Sequence, residues 1–63
     1  MLTTMNTLQT TILLVEDNKD LRENAALVLQ LEGYFVQAAG DGREALAMLE
    51  AGFMPHLIVS DIM

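Results

Sequence analysis

Two short apolar runs, each leading straight into acid, punctuate a chain that otherwise shows helical stripes and turns. Ile12-Leu13-Leu14-Val15 runs into Glu16-Asp17, and His56-Leu57-Ile58-Val59-Ser60 runs into Asp61. Unbroken Ile/Leu/Val is the pattern of a strand covered on both faces, as in parallel sheets. The first strand is expected over Thr11 to Val15 and the last over His56 to Ser60. Between them the period lengthens. Leu21, Ala25, Val28 and Leu29 recur at the i, i+4, i+7, i+8 spacing of one helix face. They predict a core-facing stripe on a helix from Lys19 to Leu31, capped by Asn18 or Asp20. Leu27 and Leu31 form an apolar pair beside the stripe, suited to a further neighbour such as another helix. Gly33 fits the left-handed position after that helix. Tyr34 to Ala38 reads as a strand, since Tyr, Phe and Val favour extended backbone. Asp41 and Glu44 have capping-box spacing and open a second helix, Gly42 to Ala51, that should bury Ala45, Met48 and Leu49. Gly52 and Pro55 end it.

The order is thus β-α-β-α-β, an α/β fold with a parallel sheet. Right-handed crossovers leave two simple windings. A 1-2-3 sheet stacks both helices on one face and separates the two acidic strand ends. A 2-1-3 sheet places the helices on opposite faces, with the acidic strands as neighbours about 4.8 Å apart. Open α/β sheets bind ligands at the carboxyl ends of their strands. The 2-1-3 order would gather Glu16, Asp17 and Asp61 in that crevice. Three carboxylates so close repel one another unless a cation or a proton lies between them. A hard divalent metal with one carboxylate left for chemistry is the economical reading. A Glu-Asp pair after a strand is by itself ordinary loop solvation; the second buried strand ending in Asp61 changes that judgement.

Composition narrows the picture. At 63 residues the chain lies near the lower size limit for independent folding, and without cysteine it has neither disulfides nor thiolate metal ligands. That absence suits a reducing cytoplasm. The net charge is −6, with Lys19, Arg22 and Arg43 the only positive side chains. It offers no basic footprint for nucleic acid or anionic lipid, and no apolar run approaches the ~20 residues of a membrane span. Residues 1–10 lack the basic start and apolar centre of a secretory signal and read as a flexible extension before a single unit over residues 11–63. His56, after Pro55, reads as a surface histidine with no phosphorelay role. Gly40 and Gly42 form neither a G-x-G-x-x-G nor a Walker-type phosphate cradle.

The segments ILLVEDN, DGREAL and PHLIVSDIM together resemble the first half of a response-regulator receiver domain, a flavodoxin-like fold with strand order 2-1-3-4-5. The resemblance runs from about Thr11 to Met63. It implies that Asp61 is the phospho-acceptor, taking its phosphoryl group from a sensor histidine kinase or phosphotransfer protein. It further implies that Glu16 and Asp17 help hold Mg2+, Asp17 as the likelier direct ligand, and that the backbone carbonyl of Met63 completes the set. The elementary chemistry agrees. Carboxylates can form an aspartyl phosphate, and magnesium prefers oxygen ligands, one or two carboxylates with substrate phosphate.

A whole receiver also carries a Thr or Ser after a fourth strand and a Lys after a fifth, and neither follows in this sequence. The expectation is therefore an incomplete cytoplasmic receiver module, not an enzyme in its own right and inactive alone. Its third strand would be a bare edge open to self-association or to a complementary fragment. The competing reading is a half-domain that self-associates without phosphotransfer and keeps its carboxylates as relics. A haloacid-dehalogenase-like phosphatase would want D-x-D after the first strand, where Glu16-Asp17-Asn18 stands. A half-Rossmann unit would want glycines there.

Overall fold

The computed structural model describes residues 10–60. The expectations for residues 1–9, Asp61 and Met63 fall outside the described residues. The elements are β1 (Thr11–Val15), α1 (Lys19–Leu31), β2 (Phe35–Ala39), α2 (Gly42–Glu50) and β3 (Leu57–Ser60). They form a parallel sheet in the order β2-β1-β3. Four boundaries differ from expectation by one residue: the starts of β2 and β3, the end of β2 at Ala39 in place of Ala38, and the end of α2. Tyr34 gives its N–H to Leu29 in the helix-ending turn, so extended pairing begins at Phe35. His56 donates its N–H to Thr11 O one residue ahead of β3. The second helix ends at Glu50, with Ala51 as its C-cap.

Local chemistry accounts for the helix ends. Asn18 Oδ1 accepts the Leu21 N–H at 2.9 Å and Asp41 Oδ1 accepts the Glu44 N–H at 2.8 Å, satisfying donors that a helix start leaves unpaired. Glu44 reaches back to the Gly40 N–H at 2.7 Å, one residue before the cap, a displaced form of the capping box. At the far ends Gly33 and Gly52 take φ of 101° and 108°, the left-handed backbone for which glycine carries no Cβ penalty.

Alternation along β1 divides the packing. Leu13 and Val15 join Ala39 and Ala45 in one buried cluster, with Met48, Leu49 and Phe53 packed against it. This is the α2 face. Leu14 turns to the other side, toward Leu21, Ala25, Val28 and Val59. There the packing differs from the predicted stripe. α1 lies over β1 and β2, and neither helix packs on β3. Arg22, Ala25, Ala26 and Leu29 are the half-buried positions of α1, whereas Leu21 and Val28 are exposed. Leu21 and Val28 instead flank an open cleft of about 370 Å³ between the helix and β3. The helix is thus rotated toward β2 relative to the expected stripe, since among the described residues it lies against β2 and β1 and not against β3. Leu57 and Ile58 are each 52% exposed.

The start of β3 has a second tether. The Thr11 N–H donates to His56 Nδ1 at 3.1 Å, reciprocating the 2.8 Å bond from the His56 N–H to Thr11 O. Only an imidazole with an unprotonated Nδ1 can accept it.

Two outcomes follow from this packing. Leu13 is fully buried and Leu31 is 77% exposed. Leu13→Ala should cost about 2–5 kcal/mol, comparable to the whole stability of a core this small. Leu31→Ala should change stability by less than about 0.5 kcal/mol. Urea unfolding followed by circular dichroism compares them, and equal midpoints would contradict the one-sided core. For His56→Phe, which keeps a ring but no acceptor, hydrogen exchange at the Thr11 amide should accelerate while that at Leu14 does not. Unchanged Thr11 protection would mean that the imidazole bond holds nothing.

Candidate functional site

Every strand of a parallel sheet ends at the same rim. Here that rim carries the β1–α1 loop, the β2–α2 turn and the end of β3. The register sets β1 and β3 level: Val15 pairs with Ser60. The chain therefore leaves β1 into Glu16 beside the last described residue of β3. Asp61 follows Ser60 directly in sequence.

Glu16 is held at three points. Its N–H continues the ladder to Ala39 O at 3.0 Å. Its carbonyl accepts Arg22 Nη1–H at 2.9 Å in a half-buried contact. Its carboxylate Oε2 accepts the Asn18 N–H at 3.0 Å, closing a turn over Asp17. One carboxylate bond leaves lone pairs to spare, yet the side chain is partly committed to shaping its own loop. Asp17 differs. It is exposed at the crown of that turn, and its carboxylate takes no hydrogen bond among the described residues.

The helices begin at this rim as well, because each helix starts where its strand ends. The unpaired N–H groups of a first helical turn favour negative charge, and Asp20 and Glu44 occupy the first turns of α1 and α2. Among the described residues no group of three or more His, Cys, Asp or Glu side chains converges as a metal cage. What the described rim supplies is a pair of adjacent hard-oxygen side chains, Glu16 and Asp17, level with the end of a second strand. That donor chemistry suits Mg2+, which needs few protein carboxylates and keeps much of its water. The pair is compatible with the ion without forming a closed site by itself.

Arg22 and Gly40 adjoin this loop without being singled out by the sequence pattern. In the sequence Arg22 stands out only as one of three positive charges, and Gly40 only as part of a glycine pair that forms no phosphate cradle. A signal was present: Arg22, Ala26 and Leu29 stand at i, i+4 and i+7, so a cation occupies the inner face of α1.

Comparison with known proteins agrees with this architecture. The response regulator receiver domain family matches residues 12–63. The alkaline phosphatase synthesis transcriptional regulatory protein SphR of Synechococcus elongatus is 47% identical over 60 residues, covering 82% of this chain and 23% of that protein. The response regulator MprA of Mycolicibacterium vanbaalenii is 42% identical over 52 residues, with 82% of this chain and 22% of that protein covered. A 14.6 kDa protein of Leptolyngbya boryana is 42% identical over 54 residues, covering 86% of this chain and 40% of that protein. The chain thus spans less than a quarter of the length of the first two relatives. No solved structure matches it. With the 2-1-3 parallel sheet and the acidic rim in place, the chain belongs to the response regulator receiver domain family.

Proposed function

We propose that this chain is the phospho-accepting segment of a cytoplasmic two-component signalling protein, with Asp61 as the acceptor. The observation that supports the reading is the level pairing of Val15 with Ser60, the residues that Glu16 and Asp61 follow in sequence. A carboxylate oxygen of Asp61 attacks the phosphorus of a phosphohistidine on a sensor kinase or phosphotransfer protein. The P–N bond breaks, its electron pair stays on the imidazole, which leaves as a neutral ring keeping the proton already on its other nitrogen, and an aspartyl phosphate remains. Asp17, Asp61 and the Met63 carbonyl would hold Mg2+, with Glu16 assisting. When bound, the ion offsets charge on the transferring phosphoryl group. Glu16 meanwhile shapes the turn that presents Asp17. In this reading the chain is a signalling module whose chemistry depends on partners, not an enzyme in its own right.

The exposed side of β3 favours a second property. Leu57 and Ile58 lie on a strand paired only to β1 among the described residues, and a bare apolar edge invites another strand. In isolation the 63-residue chain should pair through β3 with a second copy, competing with any fragment that completes the sheet.

In a receiver where this segment is continued by the remaining strands and helices, acetyl phosphate and Mg2+ should label Asp61. Asp61→Asn should abolish the label. Asp17→Asn should slow labelling on the order of a hundredfold, the rate equivalent of about 2.7 kcal/mol of lost charge stabilisation. Glu16→Gln keeps an acceptor for the Asn18 N–H, so its loss should be smaller. Mass spectrometry finding the phosphoryl group on another residue would overturn the assignment. The 63-residue chain alone should label poorly, and efficient beryllofluoride binding by it would contradict this. Light scattering after size exclusion at micromolar concentration should report a mass above the monomer's; a folded monomer would rule out edge pairing.

A further inference from the structure

Resting on the metal-site reading above, we infer that Arg22, seated against Gly40, is the positioning residue that aims the Glu16–Asp17 loop. Arg22 projects from the inner face of α1, where its half-buried neighbours are Ala26 and Leu29. A guanidinium withdrawn from water in such company needs a partner. Its Nη1–H donates to the Glu16 carbonyl at 2.9 Å, and a bond from a charged donor is stronger than one between neutral groups. Glu16 is consequently held on both sides of its α-carbon, through its N–H to Ala39 and through its C=O to Arg22. The peptide that leads into Asp17 has little freedom left. Among the described residues the exposed Asp17 carboxylate has no bond of its own, so it takes its direction from that peptide.

Gly40 explains how the guanidinium gets there. A Cβ at this position would stand 3.3 Å from Arg22 Nη1 and 3.3 Å from Glu44 Oε1. Its φ lies outside the left-handed range, so what glycine contributes here is open space and not backbone freedom, and a Cβ would press both side-chain ends to shift by a few tenths of an ångström. Glu44 Oε1 is also the oxygen that accepts the Gly40 N–H at 2.7 Å. One bare α-carbon therefore accommodates both the anchor of the β1–α1 loop and the back-bond of the α2 cap. The two rim loops are built around the same small gap.

The charge of Arg22 and its geometry predict opposite effects on metal binding. As a nearby cation it repels a divalent ion, so its removal would tighten binding if charge dominated. As an anchor its removal loosens the loop and weakens binding. Partners outside the ligand shell commonly alter metal affinity 10–100-fold, and the anchoring role is expected to prevail here.

The test uses the full chain, with NMR amide exchange measured without metal and with Mn2+ and Mg2+ titrations followed at the Asp17 and Asn18 amides. Arg22→Met should speed exchange at Asn18 and weaken metal binding on the order of tenfold. Arg22→Lys, which keeps a cation and a donor, should fall between. Gly40→Ala should shift both readouts the same way, and the double variant Arg22→Met/Gly40→Ala should be no worse than Arg22→Met, since coupled residues are not additive. Should Arg22→Met unfold the chain, the lysine and alanine variants carry the same two readouts. Unchanged Asn18 exchange, or metal binding as tight as or tighter than in the unsubstituted chain, would overturn the inference. Faster exchange in Arg22→Met beside an unsubstituted chain that binds no Mn2+ would leave Arg22 as the anchor and sink the metal reading instead.

Discussion

The structure depends on β1 being hydrogen-bonded on both sides by strands that run in its own direction. Four consecutive apolar residues can be buried there because each face has a cover and each edge a partner. The same parallelism sends every strand end, and every helix start, to one rim. Acidic residues are tolerable at that rim for two reasons. Helix N-termini present unpaired N–H groups that favour negative charge, and Asn18 and Asp41 act as caps. A winding that reversed one strand would carry Ser60 to the opposite end of the sheet from Glu16. The acidic rim is thus a consequence of chain direction before it is a matter of particular side chains.

Cover is unequal across the sheet. β2 and β1 support both helices, and the best-packed cluster joins Leu13, Val15, Ala39 and Ala45 on the α2 face. On the α1 face the helix leans toward β2, leaving Leu21, Val28 and Val59 around an open cleft. No residue of α1 is fully buried. In water most helical stability comes from packing one face, so α1 is the weaker of the two layers. Its caps and the Arg22 tie matter more for that reason.

Much of this was legible in the residues. Unbroken Ile/Leu/Val and the i, i+4, i+7 recurrence place β1 and α1 at the boundaries found. Asn18, Asp41, Gly33 and Gly52 mark helix ends because their roles are set by short-range geometry. Legibility failed where the answer depended on a partner distant in sequence. The rotation of α1 reflects which strand lies beneath it, which periodicity does not encode. His56 as an acceptor for the Thr11 N–H depends on a strand 45 positions away. The Arg22–Glu16 tie needs the turn at Gly40, so the cation on the inner face was visible but its purpose was not. For the site, Glu16 and Asp17 lie together at the β1 end as expected. The structure adds a division of labour between them, with Glu16 bonded into its loop and Asp17 open to solvent.

That division has a consequence for how site and fold are coupled. The rim draws one side from β1, the most buried strand, and the other from β3, on which neither helix packs. Regions with few buried contacts open at low free-energy cost. Whatever covers β3 must then also steady the strand end beside Val15. Conversely, on the proposed function, an ion or phosphoryl group bound across the two strand ends would favour the paired arrangement by mass action. Protein cover at the β3 edge and ligand at the rim would then act on one equilibrium, the seating of β3 against β1. By linkage each should strengthen the other. The physical element joining them is short: the β1–β3 ladder between the His56–Thr11 tether at one end and the Val15–Ser60 pair at the other.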